Sequence, residues 1–88
     1  MNTSRDFETV LLRMVAAICA GDGEGAAACF TPGGVYHDGF YGEFEGREAI
    51  ARMVREYFHR DARDFRWTLH DVLSDGRVGY AAYDFSYV

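Results

Sequence analysis

Lysine is absent from this 88-residue chain: all nine basic side chains are Arg, set against 14 Asp and Glu for a net charge of −5. Nor do the arginines gather into a stripe, since Arg47 is followed by Glu48, Arg60 by Asp61 and Arg63 by Asp64. An acidic chain with interleaved charges lacks the electrostatic footprint of a nucleic-acid binder, and no such partner is expected. Apolar runs are short, none near the ~20 residues of a membrane-spanning helix, so no membrane partner is expected either. The first residues, Met1-Asn2-Thr3-Ser4-Arg5-Asp6, carry neither the basic start nor the apolar core of a signal peptide, which predicts a cytoplasmic protein. Cysteine is scarce too. Cys19 and Cys29 make neither a disulfide framework nor a CxxC pair, and their alanine-rich surroundings predict small buried hydrophobes within helices.

Several catalytic signatures are also missing. There is no Gly-rich phosphate loop, no serine elbow and no cysteine nucleophile arrangement. His37, His59 and His70 fall at no metal-ligand spacing, so neither metal nor cofactor is expected. Gly21, Gly23 and Gly25 alternate without a preceding strand and read as helix-boundary glycines.

What remains is 49% hydrophobic and 16% aromatic, a globular composition for one domain over residues 1–88, near the size where a single core barely suffices. Phe7, Val10, Leu11, Met14, Val15 and Ile18 recur at helical spacing and predict an amphipathic helix from Ser4 to Ala20, capped by Thr3 or Ser4 and ended by Gly21. Asp22 caps a second, alanine-rich helix reaching Phe30, and Thr31-Pro32-Gly33-Gly34 is a turn. A short strand follows over Val35–Asp38, and 39–44 has room for a second, very short one. Gly46 opens a third helix whose apolar stripe is Ile50, Met53, Val54, Tyr57 and Phe58. From Phe65 the pattern switches to alternation, with Phe65, Trp67 and Leu69 on one face, then a hairpin turn at Asp75-Gly76. The return strand puts Tyr83, Phe85 and Tyr87 on one face and runs to the last residue. An aromatic face of that kind needs cover: either the polypeptide is a shortened version of a longer domain or another subunit completes the sheet, and a homodimer or larger assembly is expected.

Residues 34–58 concentrate the chemistry. His37 is the first candidate for proton transfer, since imidazole titrates near neutrality. Asp38 is the alternative, as base, as orienting partner of His37 or as cap of the following turn. Adjacent strand residues point to opposite faces, so only a bulge would let both serve one pocket. Trp67, Tyr83, Phe85 and Tyr87, with Phe7, Tyr57 and Phe58, are candidates to line an apolar cavity, with Tyr36 and Tyr41 at its rim. Tyr83 is the candidate to polarise a substrate carbonyl.

The order of elements, with Gly21-Asp22, Phe30-Thr31-Pro32-Gly33-Gly34-Val35 and Gly46-Arg47-Glu48-Ala49-Ile50, resembles the NTF2-like superfamily in its SnoaL-like or ketosteroid-isomerase-like branch. The resemblance implies an α+β cone: N-terminal helices packed on a curved, mainly antiparallel sheet, with a pocket at the open end and frequent dimerisation. In that pattern further strands follow the position of Val88, so a shortened C-terminus is expected. Carried over by position, the general-base aspartate of the isomerases falls on His37 beside Asp38. Their oxyanion-binding tyrosine falls on Met14, which joins the expected ligand-lining residues, and their second oxyanion acid lies on a strand not found here. Steroid isomerisation is therefore not expected. The expectation is a small-molecule-binding domain for an apolar carbonyl compound, with cofactor-independent proton transfer as its chemistry. The alternative is a non-catalytic binding or dimerisation module of the same fold.

Overall fold

The computed structural model describes residues 3–88. Helix α1, Thr3–Ala20, follows the apolar stripe, burying Val15 and Ile18 while Met14 and Ala17 pack half-buried against the core. It ends as the glycine predicts. Gly21 takes φ 76°, its N–H bonds Ile18 O at 3.1 Å, and Asp22 N–H bonds Ala17 O at 2.8 Å, a Schellman closure that needs a left-handed residue. The start differs from expectation. The hydroxyls of Thr3 and Ser4 do not cap the helix but reach Ser74, Thr3 Oγ1 donating to its carbonyl at 2.9 Å and Ser4 Oγ accepting its N–H at 3.0 Å. They tie the helix to a strand seventy residues away.

Helix α2 spans Gly23–Ala27, with Asp22 Oδ1 accepting Gly25 N–H at 2.9 Å as its cap. It stops short of Phe30, since residues 28–30 continue only as turn. Cys29 consequently lies past the helix. Both cysteines are free and half-buried rather than fully enclosed, and burial pushes the Cys19 thiol upward.

Strands β1, Val35–Asp38, and β2, Gly42–Glu45, pair antiparallel in an unbroken register. Gly46, at φ 87°, then turns the chain into the central helix, with its N–H on Gly34 O at 2.8 Å. That helix runs as α3, Arg47–Arg52, a π-helical stretch, Met53–Phe58, and a last turn α4, His59–Asp61. Strands β3, Arg66–Ser74, and β4, Gly79–Ser86, form a longer hairpin, turned at Asp75-Gly76 as the sequence predicts. Asp75 Oδ1 holds that turn by accepting the N–H groups of Arg77 and Val78, and the last residue adds a rung, Val88 and Arg63 exchanging both backbone hydrogen bonds.

The class is α+β, with helices laid on antiparallel strands. The strands form two separate two-stranded ribbons rather than one continuous sheet among the described residues. Helix α1 crosses β3, and α2 sits between α1 and α3. Where they meet, Ile18, Ile50, Met53 and Val54 are fully buried, each contributing roughly 2 kcal/mol by area removed from water. One departure from regular pairing lies in β3: Asp71 takes φ 49° and the register shifts between His70 and Leu73, a bulge that bends the ribbon over α1.

Candidate functional site

A cavity of about 410 Å³ opens between the two ribbons and the end of the central helix. Its walls come from Tyr36 and Asp38 on β1, Phe40 and Tyr41 in the turn, Phe58 and Asp61 from the helix with Ala62 after it, Phe65 and Trp67 at β3, and Tyr83, Phe85 and Tyr87 at β4. Strand alternation places the hairpin's share: Trp67 stands opposite Phe85 and Leu69 opposite Tyr83, so the rings fall on one face. The rings make a chain of contacts, Tyr36 to Phe58 at 6.2 Å, Phe58 to Phe65 at 6.5 Å, Phe65 to Phe85 at 6.0 Å and Phe85 to Trp67 at 5.0 Å. The π-helical stretch carries Phe58. Its wider turn advances the side chains relative to a regular helix, and such stretches are frequent at functional sites.

The helix end is also anchored from the other side. His59 Nε2 lies 2.7 Å from Ile18 O, and since a carbonyl only accepts, that nitrogen carries the proton. The same ring packs on Phe65 at 4.7 Å, so α1, the central helix and the cavity wall share one fixed point.

Polar groups sit at two places. Asp38 Oδ2 accepts the N–H groups of Phe40 at 2.9 Å and Tyr41 at 2.8 Å, which shapes the aromatic turn, while Oδ1 has no hydrogen-bond partner among the described residues. Beside it, burial first, then the charge of Asp38 and the neighbouring Tyr83, push the Tyr36 phenol up to about 12, so its hydroxyl is a donor at any physiological pH. At the rim the Tyr41 hydroxyl donates to Asp61, which also receives Arg60 Nε at 2.6 Å and Nη2 at 2.9 Å. Those bonds, Arg60 foremost, hold the Asp61 carboxyl down to about 2, and the same network raises Tyr41 and Arg60. The Arg60 guanidinium lies over the Tyr57 ring at 5.3 Å. Trp67 Nε1 is buried without a hydrogen-bond partner among the described residues.

Of the residues expected at the site, Tyr36, Asp38, Tyr41, Phe58, Trp67, Tyr83, Phe85 and Tyr87 meet in this cavity. His37 does not. The register of β1 contains no bulge, so the pleat that turns Asp38 inward turns His37 outward, where it is 70% exposed and pairs with Glu43 at 3.3 Å. Met14 packs against the core cluster instead of the cavity. Tyr57 lies behind the wall, its ring against Tyr41 at 5.5 Å and Phe44 at 5.4 Å. Phe7 closes on Gly79 at the far end of the hairpin. Phe40, Asp61, Ala62 and Phe65 belong to the lining without having been assigned to it. Phe65 is in phase with Trp67 and was within reach of the alternation argument; nothing local to Asp61 signals its role.

No three His, Cys, Asp or Glu residues cluster to hold a metal ion among the described residues. Among them, no helix is long and apolar enough to cross a membrane. No curated protein matches the chain in sequence. The model of the SnoaL-like domain matches residues 11–88, and with helices laid on antiparallel strands around an aromatic hollow, the chain belongs to that family of the NTF2-like superfamily.

Proposed function

We propose that the protein binds a small, largely apolar, ring-bearing molecule in the cavity between its two ribbons. One observation carries this reading: nine aromatic rings line a hollow of about 410 Å³, within the size range of ligand pockets, with Asp38 and Asp61 as the carboxylates among the described lining residues. Rings on several walls receive a flat guest by stacking and edge contacts. The exposed aromatic face of β4, with Tyr83 57% and Tyr87 61% exposed, supports a homodimer, and the composition supports a cytoplasmic protein without nucleic-acid partners.

Trp67 is the one tryptophan, so its indole signal reports on the cavity directly. A panel of planar bicyclic and tricyclic ketones, screened by thermal shift and by the Trp67 indole N–H resonance, is expected to yield binders. Tyr83→Ala, at an exposed wall position that leaves the core intact, weakens them about tenfold. If no compound moves both signals, the binding reading is lost.

A second reading rests on the unpartnered Oδ1 of Asp38 beside the protonated Tyr36 hydroxyl. Tyr36 polarises a bound carbonyl while Asp38, in place of the outward-facing His37, takes the proton from the adjacent carbon. Exchange of that carbon's hydrogen into deuterated water, followed by NMR, tests it. Exchange no faster with the parent protein than with Asp38→Asn eliminates the chemistry and leaves binding alone.

A further inference from the structure

We propose that the cavity selects its guest by charge, accepting a protonated amine carried on a flat apolar body and excluding carboxylates; this rests on the small-molecule reading above and narrows it. The ionised side chains in the lining are Asp38 and Asp61, and the lining contains no Arg, Lys or His. The two acids are not equivalent. Asp61 is bonded by the Arg60 guanidinium and by Tyr41, so its charge is largely answered. Among the described residues Asp38 is answered only by two neutral backbone N–H groups, both on Oδ2. The uncompensated charge therefore sits at the β1 wall, close enough to oppose ionisation of Tyr36.

The rings act in the same direction. Aromatic faces carry the negative lobe of the ring quadrupole, and a desolvated ammonium over several of them gains attraction that a neutral group does not. Tyr83 and Phe85 both contact Trp67, at 5.4 and 5.0 Å, giving a cluster of π faces across from Asp38. The tyrosine hydroxyls of the lining, Tyr36 and Tyr83 among them, work against this, since they donate and so welcome an acceptor. Neutral donors are outweighed by a fixed negative charge: a carboxylate in the cavity loses its water shell, meets Asp38 and finds no cation among the described lining residues.

Three probes share one ring system and differ in charge: 2-naphthylmethylammonium, 2-naphthylmethanol and 2-naphthoate. Titrated calorimetrically at neutral pH and low salt, with the Trp67 indole resonance localising the event, the ammonium is expected to bind about tenfold more tightly than the alcohol, with no binding of the carboxylate. Asp38→Asn retains an oxygen to accept the Phe40 and Tyr41 N–H groups, so the turn persists. In that variant the ammonium is expected to lose its advantage over the alcohol. Equal binding of all three probes, or an ammonium preference that survives Asp38→Asn, overturns charge selection while leaving small-molecule binding in place. No movement of the Trp67 resonance with any probe removes both.

Discussion

Adding one methyl group at Gly23 tests how tightly the helical layer is fitted. Gly23 is buried at the first turn of α2, where a Cβ would lie 2.3 Å from the carbonyl oxygen of Ala51 and 2.9 Å from Arg55 Cγ. Ordinary contact begins near 3.4 Å, so roughly 1 Å of separation must be found. The obstacle is backbone of the central helix, which also carries the fully buried Ile50, Met53 and Val54, and cannot retreat without disturbing them. Overpacking of this kind costs about 1–3 kcal/mol, whereas alanine in place of glycine in a helix returns at most about 1 kcal/mol. The clash wins, and Gly23→Ala is expected to lose about 1–2 kcal/mol, or roughly 5–15 °C in Tm for a domain of this size. Urea melts followed by Trp67 fluorescence and far-ultraviolet circular dichroism measure it. Two companions sharpen the test. At Gly79 a Cβ would meet the Phe7 ring at 2.4 Å, but a ring can swing aside, so Gly79→Ala costs less; at Gly33 nothing among the described residues lies within 4 Å, and Gly33→Ala leaves stability unchanged or slightly raised. A Gly23→Ala protein as stable as Gly33→Ala would refute the close approach of α2 to the central helix.

Two predictions concern pH. The folded state holds the Asp61 carboxyl down to about 2 from its ordinary 3.8, so its contribution to stability is present above the unfolded value and is lost as pH falls from about 4 towards 2; Asp61→Asn flattens that limb of an acid-unfolding curve. Tyr36 goes the other way, raised from 10 to about 12, so its share of stability is complete below 10 and disappears as pH climbs towards 12. In a tyrosinate absorbance titration of the folded protein, the most alkaline transition should vanish in Tyr36→Phe; if it persists, the half-buried phenol beside Asp38 has been misplaced.

Much of the scaffold was legible before any coordinates. The stripe from Phe7 to Ile18, the glycine that ends it, the alternation through Phe65, Trp67 and Leu69 and the Asp75-Gly76 turn are local patterns, and local physics decides them. The chemistry at β1 was only half legible. Alternation separates His37 from Asp38, but Val35 and Tyr36 are both apolar, so the strand itself does not say which face turns inward. That choice falls to Phe58 and Phe30, which pack against Tyr36 from distant parts of the chain. The π-helical turn and the bulge at Asp71 left no trace either, because each answers a packing demand of another element. Asp61 read as one more solvated charge, since the hydroxyl that gives it a role, Tyr41, lies twenty residues earlier.

The division of the strands into two ribbons has a mechanical consequence. Within the described residues no backbone ladder joins β1 and β2 to β3 and β4, so the opposite walls of the hollow are held together by rings and a helix end. A wall of side chains yields by rotation about single bonds, whereas a sheet yields only by breaking rungs. The girth of the chamber is therefore adjustable at little expense, by swinging Tyr83, Phe85 or Tyr87 rather than by melting a strand.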